Sequence, residues 1–232
     1  MILFVLMFLF AGVVLVVAIN AILLKRKEEY LVIFMCLYLP FYTSTLSVIF
    51  KQTGSELFVS FFQYSKELII LFAIVSFILY KRDFFAYGFK LLFIDYVFIT
   101  FLGLALAYTF LPIGSASLIQ KLLYFKNIAA LGVMYFFGRN ARLIQVKLDT
   151  LAKIILGVAV AAFMLNIFEY YTYTHFQTHT GYSLFNRAIN DREPEGNYYL
   201  TWTFESQGGQ KRFASFFSNP LELASAVLLA FP

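Results

Sequence analysis

Apolar residues fall along this chain in long runs separated by short charged clusters, not in the alternation of a half-buried strand. A bilayer core about 30 Å thick takes roughly 20 helical residues to cross, so each run of that length reads as a span. The first runs Met1–Leu24 and ends at Lys25-Arg26-Lys27. The second covers about Leu31–Phe50 and contains Pro40, which membrane helices tolerate where neighbours satisfy the freed carbonyl. The third, about Phe58–Tyr80, has to include Lys66 and Glu67 to reach across. The fourth, fifth and sixth are about Leu91–Phe110, Leu118–Gly138 and Leu148–Phe168. A polar stretch of about 45 residues follows, long for a connection inside a compact domain. A last apolar run opens near Phe216 and is still apolar at Phe231, short of a full crossing at Pro232.

The expectation is an all-α, polytopic transmembrane bundle. Residues 1–168 form six full spans, 169–215 an extracytoplasmic loop, and 216–232 the start of a seventh helix. The chain then reads as the N-terminal part of a longer protein. Basic residues set the orientation, because short cytoplasmic loops are enriched in Lys and Arg. Loops after the odd spans hold Lys25, Arg26, Lys27, Lys81, Arg82, Lys90, Arg139, Arg142, Lys147 and Lys153, against Lys51, Lys66, Lys121 and Lys126 on the other side. Ten against four puts the odd loops in the cytoplasm, and the N-terminus and the long loop outside.

Composition agrees with this pattern. The chain is 61% hydrophobic and 13% charged, with a mean hydropathy of +0.78, where a soluble domain carries about 25% charge. The net charge of +5 sits at the ends of apolar runs, which is a topology signal and not a nucleic-acid groove. A single cysteine, Cys36, excludes an internal disulfide or a cysteine-based zinc site. The apolar start at Met1 has no basic segment before it and is longer than a signal-peptide core, so it reads as a true span.

The long loop is where polar chemistry collects. Tyr198–Phe204 reads as a short strand and Gln207-Gly208-Gly209-Gln210 as a turn. Its aromatics, among them Tyr170, Tyr171, Tyr173, Tyr199 and Trp202, suit either an interfacial belt or a platform for sugar or lipid. His175 and His179 are four apart, but no third ligand or His-Glu-x-x-His pattern accompanies them. They read as interfacial histidines, and no metal or cofactor is expected. Downstream, Asn219 is a good helix N-cap, Pro220 suits the first helical position, and Glu222 completes a capping box. A helix start there favours an anion, and Arg212 stands one short segment ahead of it. An ordinary cap with a headgroup-binding arginine fits the same residues.

Ionisable residues inside spans are costly and mark functional candidates. Lys66 beside Glu67 and Lys126 beside Asn127 lie several residues within their helices, toward the outer side. With Arg212, they would suit a phosphate or pyrophosphate; alternatively Lys66 pairs with Glu67 and both lysines snorkel to the interface. Asp95 and Asn20, nearer the cytoplasmic ends, read as interfacial.

A multi-span chain with a long outer loop, followed by Arg-x-x-Ser/Gly-x-x-x-x-Pro opening a span, resembles the O-antigen ligase and polymerase superfamily. The matching residues are Arg212, Ser215 and Asn219-Pro220, with Lys66-Glu67 and Gly138-Arg139 as supporting matches. Family members often have Gly where Ser215 stands and Asn where this chain has Leu221. The resemblance implies a membrane glycosyltransferase at the outer face of the bacterial inner membrane, working without a metal. Its donor would be an undecaprenyl-pyrophosphate-linked glycan and its acceptor lipid A-core or another glycan, among membrane lipids and without nucleic acid. It implies that Arg212 grips the pyrophosphate, with Lys66, Lys126, Lys211 and Asn219 as further substrate-binding candidates. The family's later outer loop, with its histidine, would lie beyond Pro232, so this chain alone would hold only part of an active site. A transporter or flippase for a lipid-linked saccharide, or a non-catalytic membrane subunit, also fits the charges; no internal repeat of the transporter kind is evident.

Overall fold

The structure, a computed structural model, describes residues 1–80, 91–140, 145–206 and 210–230. It is all-α as expected: 77% of the described residues are helical, and no strand occurs among them. Helix α1 (Ile2–Ile19) runs on through a π-helical turn, Asn20–Leu24. Next come α2 (Glu29–Thr53), α3 (Glu56–Tyr80), α4 (Phe93–Phe110), α5 (Leu118–Arg139) and α6 (Leu148–Thr172). Two short helices, α7 (Phe176–Thr180) and α8 (Tyr182–Ile189), a 3-10 turn at Trp202–Phe204 and α9 (Pro220–Ala230) complete it.

Five helical segments are long and apolar enough to cross a membrane: Ile2–Leu24, Glu29–Thr53, Glu56–Tyr80, Phe93–Phe110 and Leu148–Thr172. By length and composition this is a membrane protein. Its surface agrees, with Ile2 (79%), Phe93 (84%) and Leu228 (74%) exposed far beyond what water favours. Helix α5, the expected fifth span, is not among the five. At 22 residues it has the length, but Gln120, Lys121, Lys126 and Asn127 dilute its apolar character.

Helix α2 is the hub. Leu31, Phe34, Tyr38, Leu46 and Ile49 are buried in one cluster with α1 and α3 residues such as Ala11, Ala18, Val59, Ile69 and Phe77. Small residues on α1 allow close approach, which matters in lipid because association there rests on packing and not on apolar desolvation. The chain leaves α2 at Gly54, whose φ of 60° is left-handed and whose N–H donates to the Phe50 carbonyl at 2.8 Å. Helices α3 and α5 meet through Phe77, which sits edge-on to Phe136 and Phe137 at 5.2 and 5.8 Å. Helices α4 and α5 pair through Phe98 stacked on Tyr135 at 4.5 Å.

Several expectations change. Tyr198–Phe204 is not a strand but a turn and a 3-10 segment, and the pairing nearby is one Glu205–Lys211 bridge. The sequence there alternates too briefly for a ladder, and Gly196 N–H closes a local turn on the Leu200 carbonyl at 2.8 Å. Asp95, in the first turn of α4, is buried against α5: it accepts from Leu92 N at 2.7 Å, bonds the Tyr135 hydroxyl, and lies 3.5 Å from Arg139 Nε. The long loop is ordered largely by short helices and not extended. The turn at 207–209, the basic residues Lys81, Arg82, Lys90 and Arg142, and the run's end at 231–232 lie outside the described residues.

Candidate functional site

Residues 211–219 form an irregular strap packed on the middle of α2, at Phe41 and Ser44, and near the end of α6, at Glu169, and the strap is fastened by buried polar groups. Glu169, 1% exposed near the end of α6, accepts from Phe176 N at 2.7 Å with Oε1 and from Ser215 N at 2.9 Å with Oε2. Gln177 of α7, equally buried, donates from Nε2 to the Ser215 and Phe217 carbonyls, both at 2.7 Å. Ser44 of α2 donates to the Phe216 carbonyl at 2.7 Å, and the Phe216 ring stacks on Phe41 at 3.8 Å. Backbone that cannot pair within a helix or sheet has to be satisfied otherwise when buried. Glu169, Gln177 and Ser44 supply those partners. Ser215 has φ 55°, the left-handed region that costs an L-residue roughly 1–2 kcal/mol and glycine little, and its buried hydroxyl has no partner among the described residues.

Arg212 enters this strap where its N–H donates to the Phe204 carbonyl at 2.8 Å. It is half-buried, and no carboxylate among the described residues pairs with it. Lys211 beside it is occupied: its ammonium donates to the Tyr173 carbonyl at 2.5 Å and lies over the Tyr173 and Tyr198 rings at 4.0 and 4.9 Å. At the strap's far end the cap forms as its residues require. Asn219 Oδ1 accepts from Glu222 N at 3.0 Å, and Glu222 reaches back to Ser218 N at 3.2 Å, one residue earlier than a standard capping box. Pro220 opens α9.

His175 is buried within the loop, at 2% exposure. Its ring lies 5.3 Å from each of the Tyr198, Phe204 and Phe213 rings. Neither ring nitrogen has a hydrogen-bond partner among the described residues. Burial, with the Lys211 charge nearby, pushes its pKa down to about 4, so it packs as a neutral ring. His179 is separate: its Nε2 lies 3.3 Å from Thr174 Oγ1, and its carbonyl accepts from Lys51 Nζ at 2.8 Å, docking α7 on the end of α2. Among the described residues no group of three or more His, Cys, Asp or Glu side chains converges as a metal site would.

The charges within α3 and α5 form a second cluster. Glu67 pairs with Lys126 across α3 and α5 at 3.0 Å and not with its neighbour Lys66. Adjacent residues on a helix point about 100° apart, so the partner comes from another helix. The Lys66 ammonium lies over the Tyr42 ring at 4.4 Å, close enough to feel the Lys126 charge. At 1.5 Å per residue Lys66 and Lys126 sit on the order of 12–15 Å along their helices from the first residues of α3 and α5. Tyr42 is also part of a groove of about 460 Å³ between α2, α6 and α9. Cys36, Leu39, Pro40, Val158 and Phe217 line the groove, with Glu222 at one edge. Pro40 has no N–H to donate to the Cys36 carbonyl, although α2 runs on as one helix through it.

The structure thus brings Lys66 and Lys126 together, and separately Arg212, Lys211 and Asn219 on one strap. No hydrogen bond, ion pair or ring contact described here joins the two groups. Glu169 and Gln177 are the residues that sequence reasoning missed. Glu169 is a lone carboxylate at the close of an apolar run, and that isolation was its signal. No family model, curated protein or solved structure matches the chain.

Proposed function

We propose that the protein is a membrane glycosyltransferase of the O-antigen ligase and polymerase type. It would transfer an undecaprenyl-pyrophosphate-linked glycan at the outer face of the bacterial inner membrane to lipid A-core or another glycan. In this reading all six helices α1–α6 span, α5 crossing with its charges held by α3, and the N-terminus and the strap face outward. The observation that carries the reading is the state of Arg212. It is a cation without a carboxylate partner among the described residues, on a strap fixed at Glu169, Gln177 and Ser44, ahead of a capped helix start.

Departure of a lipid pyrophosphate needs positive charge already placed where negative charge develops. A guanidinium meets two phosphate oxygens at once, which an ammonium does not. The groove between α2, α6 and α9 would hold the apolar carrier, since Phe217 of the strap forms part of its wall. Lys126 is paired with Glu67, and the Lys211 ammonium is engaged by a carbonyl and two rings but keeps its charge, so Arg212 is the principal grip and Lys66 and Lys211 supply field.

The test is replacement of the native gene by the Arg212→Lys and Arg212→Ala variants, with surface polysaccharide resolved by chain length. Loss of long chains with one repeat retained indicates a polymerase, and accumulation of unattached lipid-linked polymer indicates a ligase. Normal polysaccharide from either variant at wild-type protein level overturns the assignment.

A further inference from the structure

At the end of α2 remote from the strap lies a pocket of about 510 Å³, formed by the α1–α2 turn and the start of α6. Lys25, Arg26 and Lys27 bring cations to it from one side and Lys147 from the other, about 120 residues later in the chain. Its acids are Glu28 and Glu29, so its lining carries four positive charges against two negative, a net +2. Glu28 faces away in function: it is 1% exposed and accepts from Ser76 Oγ at 2.9 Å. The next acid along, Asp149, is held by Lys153 at 2.7 Å. Lys25, Lys27 and Lys147 make no ion pair among the described residues. Arg26 is fixed in place, with φ 56° and its guanidinium 4.3 Å from the centre of the Tyr80 ring, a stacking that leaves its N–H edge available. Below the charges the wall turns apolar with Ile33 and Leu151.

Cations from two separate segments around a concavity, over apolar side chains of two membrane helices, match an amphiphile with a phosphate at its head. Basic pockets between transmembrane helices take anionic headgroups in this way. We propose that this pocket is a binding site for an anionic glycerophospholipid, with its phosphate on Lys25, Arg26, Lys27 and Lys147. Glu29 is then placed to accept from headgroup hydroxyls. The site is independent of Arg212 and of the glycan-transfer reading.

The test is native mass spectrometry of the purified protein titrated with phosphatidylglycerol and with phosphatidylcholine of the same acyl chains. The wild type should retain phosphatidylglycerol at least about fivefold better, and Lys147→Gln should remove about fivefold of affinity, the attraction of one cation near the surface. Lys147→Gln leaves the three-residue basic turn intact, so topology is preserved. Lys121→Gln, a lysine outside the pocket's lining, should change nothing. Equal retention of the two lipids by the wild type, or full preference in Lys147→Gln, overturns the proposal. Inorganic phosphate at millimolar concentration should not displace the lipid; if it does, the site takes free phosphate and the lipid assignment is wrong.

Discussion

Glu169 holds two chain segments at once, so its removal has a consequence that can be sized. In Glu169→Ala both Phe176 N and Ser215 N lose their acceptor. A buried donor left unpaired costs about 1–3 kcal/mol, with Ser215 N toward the upper end because its bond is buried and Phe176 N toward the lower because its bond is half-buried. The sum is about 3 kcal/mol. Glu169→Gln keeps one carbonyl oxygen but turns an amino group toward the other N–H, so it loses about half as much. The strap carries its own reporter, because trypsin cleaves after Lys211 and Arg212. Cleavage through local opening follows the open population, and 1.4 kcal/mol is tenfold. Cutting at 211–212 in purified protein should therefore rise about tenfold in Glu169→Gln and about a hundredfold in Glu169→Ala, with cutting elsewhere little changed. An unchanged rate at 211–212 in Glu169→Ala would refute the account of the strap.

Other expectations follow from the same geometry. Ser215→Gly should stabilise by about 1 kcal/mol, because it relieves a left-handed φ of 55° and removes an unpaired hydroxyl, whereas Ser215→Val should destabilise; thermal midpoints in detergent decide it. In the proposed topology the part-exposed side of the Glu67–Lys126 pair (28% and 41%) faces lipid and not water, so a double-mutant cycle of Glu67→Gln and Lys126→Gln should give a coupling above the roughly 1 kcal/mol of a water-exposed pair. A coupling near zero would mean the two charges are solvated separately. His175 titrates near 4 in the fold and near 6.5 when free, so between those values the unfolded chain binds the extra proton and stability falls as pH drops. His175→Phe should flatten that part of the pH profile of the thermal midpoint; an unaltered profile would place the titration elsewhere.

The five long apolar helices were legible because their signal is additive over about 20 residues and does not depend on contacts, whereas α5, diluted by polar residues, was not separable from them in this way. The first helix ends at Leu24, as the Lys25-Arg26-Lys27 cluster implied, and the cap at Asn219-Pro220-Glu222 is local chemistry read off a few residues. What could not be read was pairing between helices. Glu67 stands next to Lys66 in sequence yet bonds Lys126, fifty-nine positions away, because helical neighbours diverge. The same holds for His175, whose neighbours Tyr198, Phe204 and Phe213 come from the far side of the loop. Composition marked the loop as polar and interfacial. Only the fold shows that its polar side chains Glu169 and Gln177 turn inward to satisfy backbone while Tyr171 and Trp202 stay outside at 82% and 65% exposure.

The central claim concerns Arg212, and the most direct measurement is glycan transfer by the purified full-length protein in nanodiscs, from a labelled undecaprenyl-pyrophosphate saccharide to its acceptor. The account predicts that Arg212→Lys lowers kcat by about 10²–10³, as expected when one preorganised donor to a developing negative charge is lost, with a much smaller change in KM. Transfer by Arg212→Lys at the wild-type kcat would contradict it.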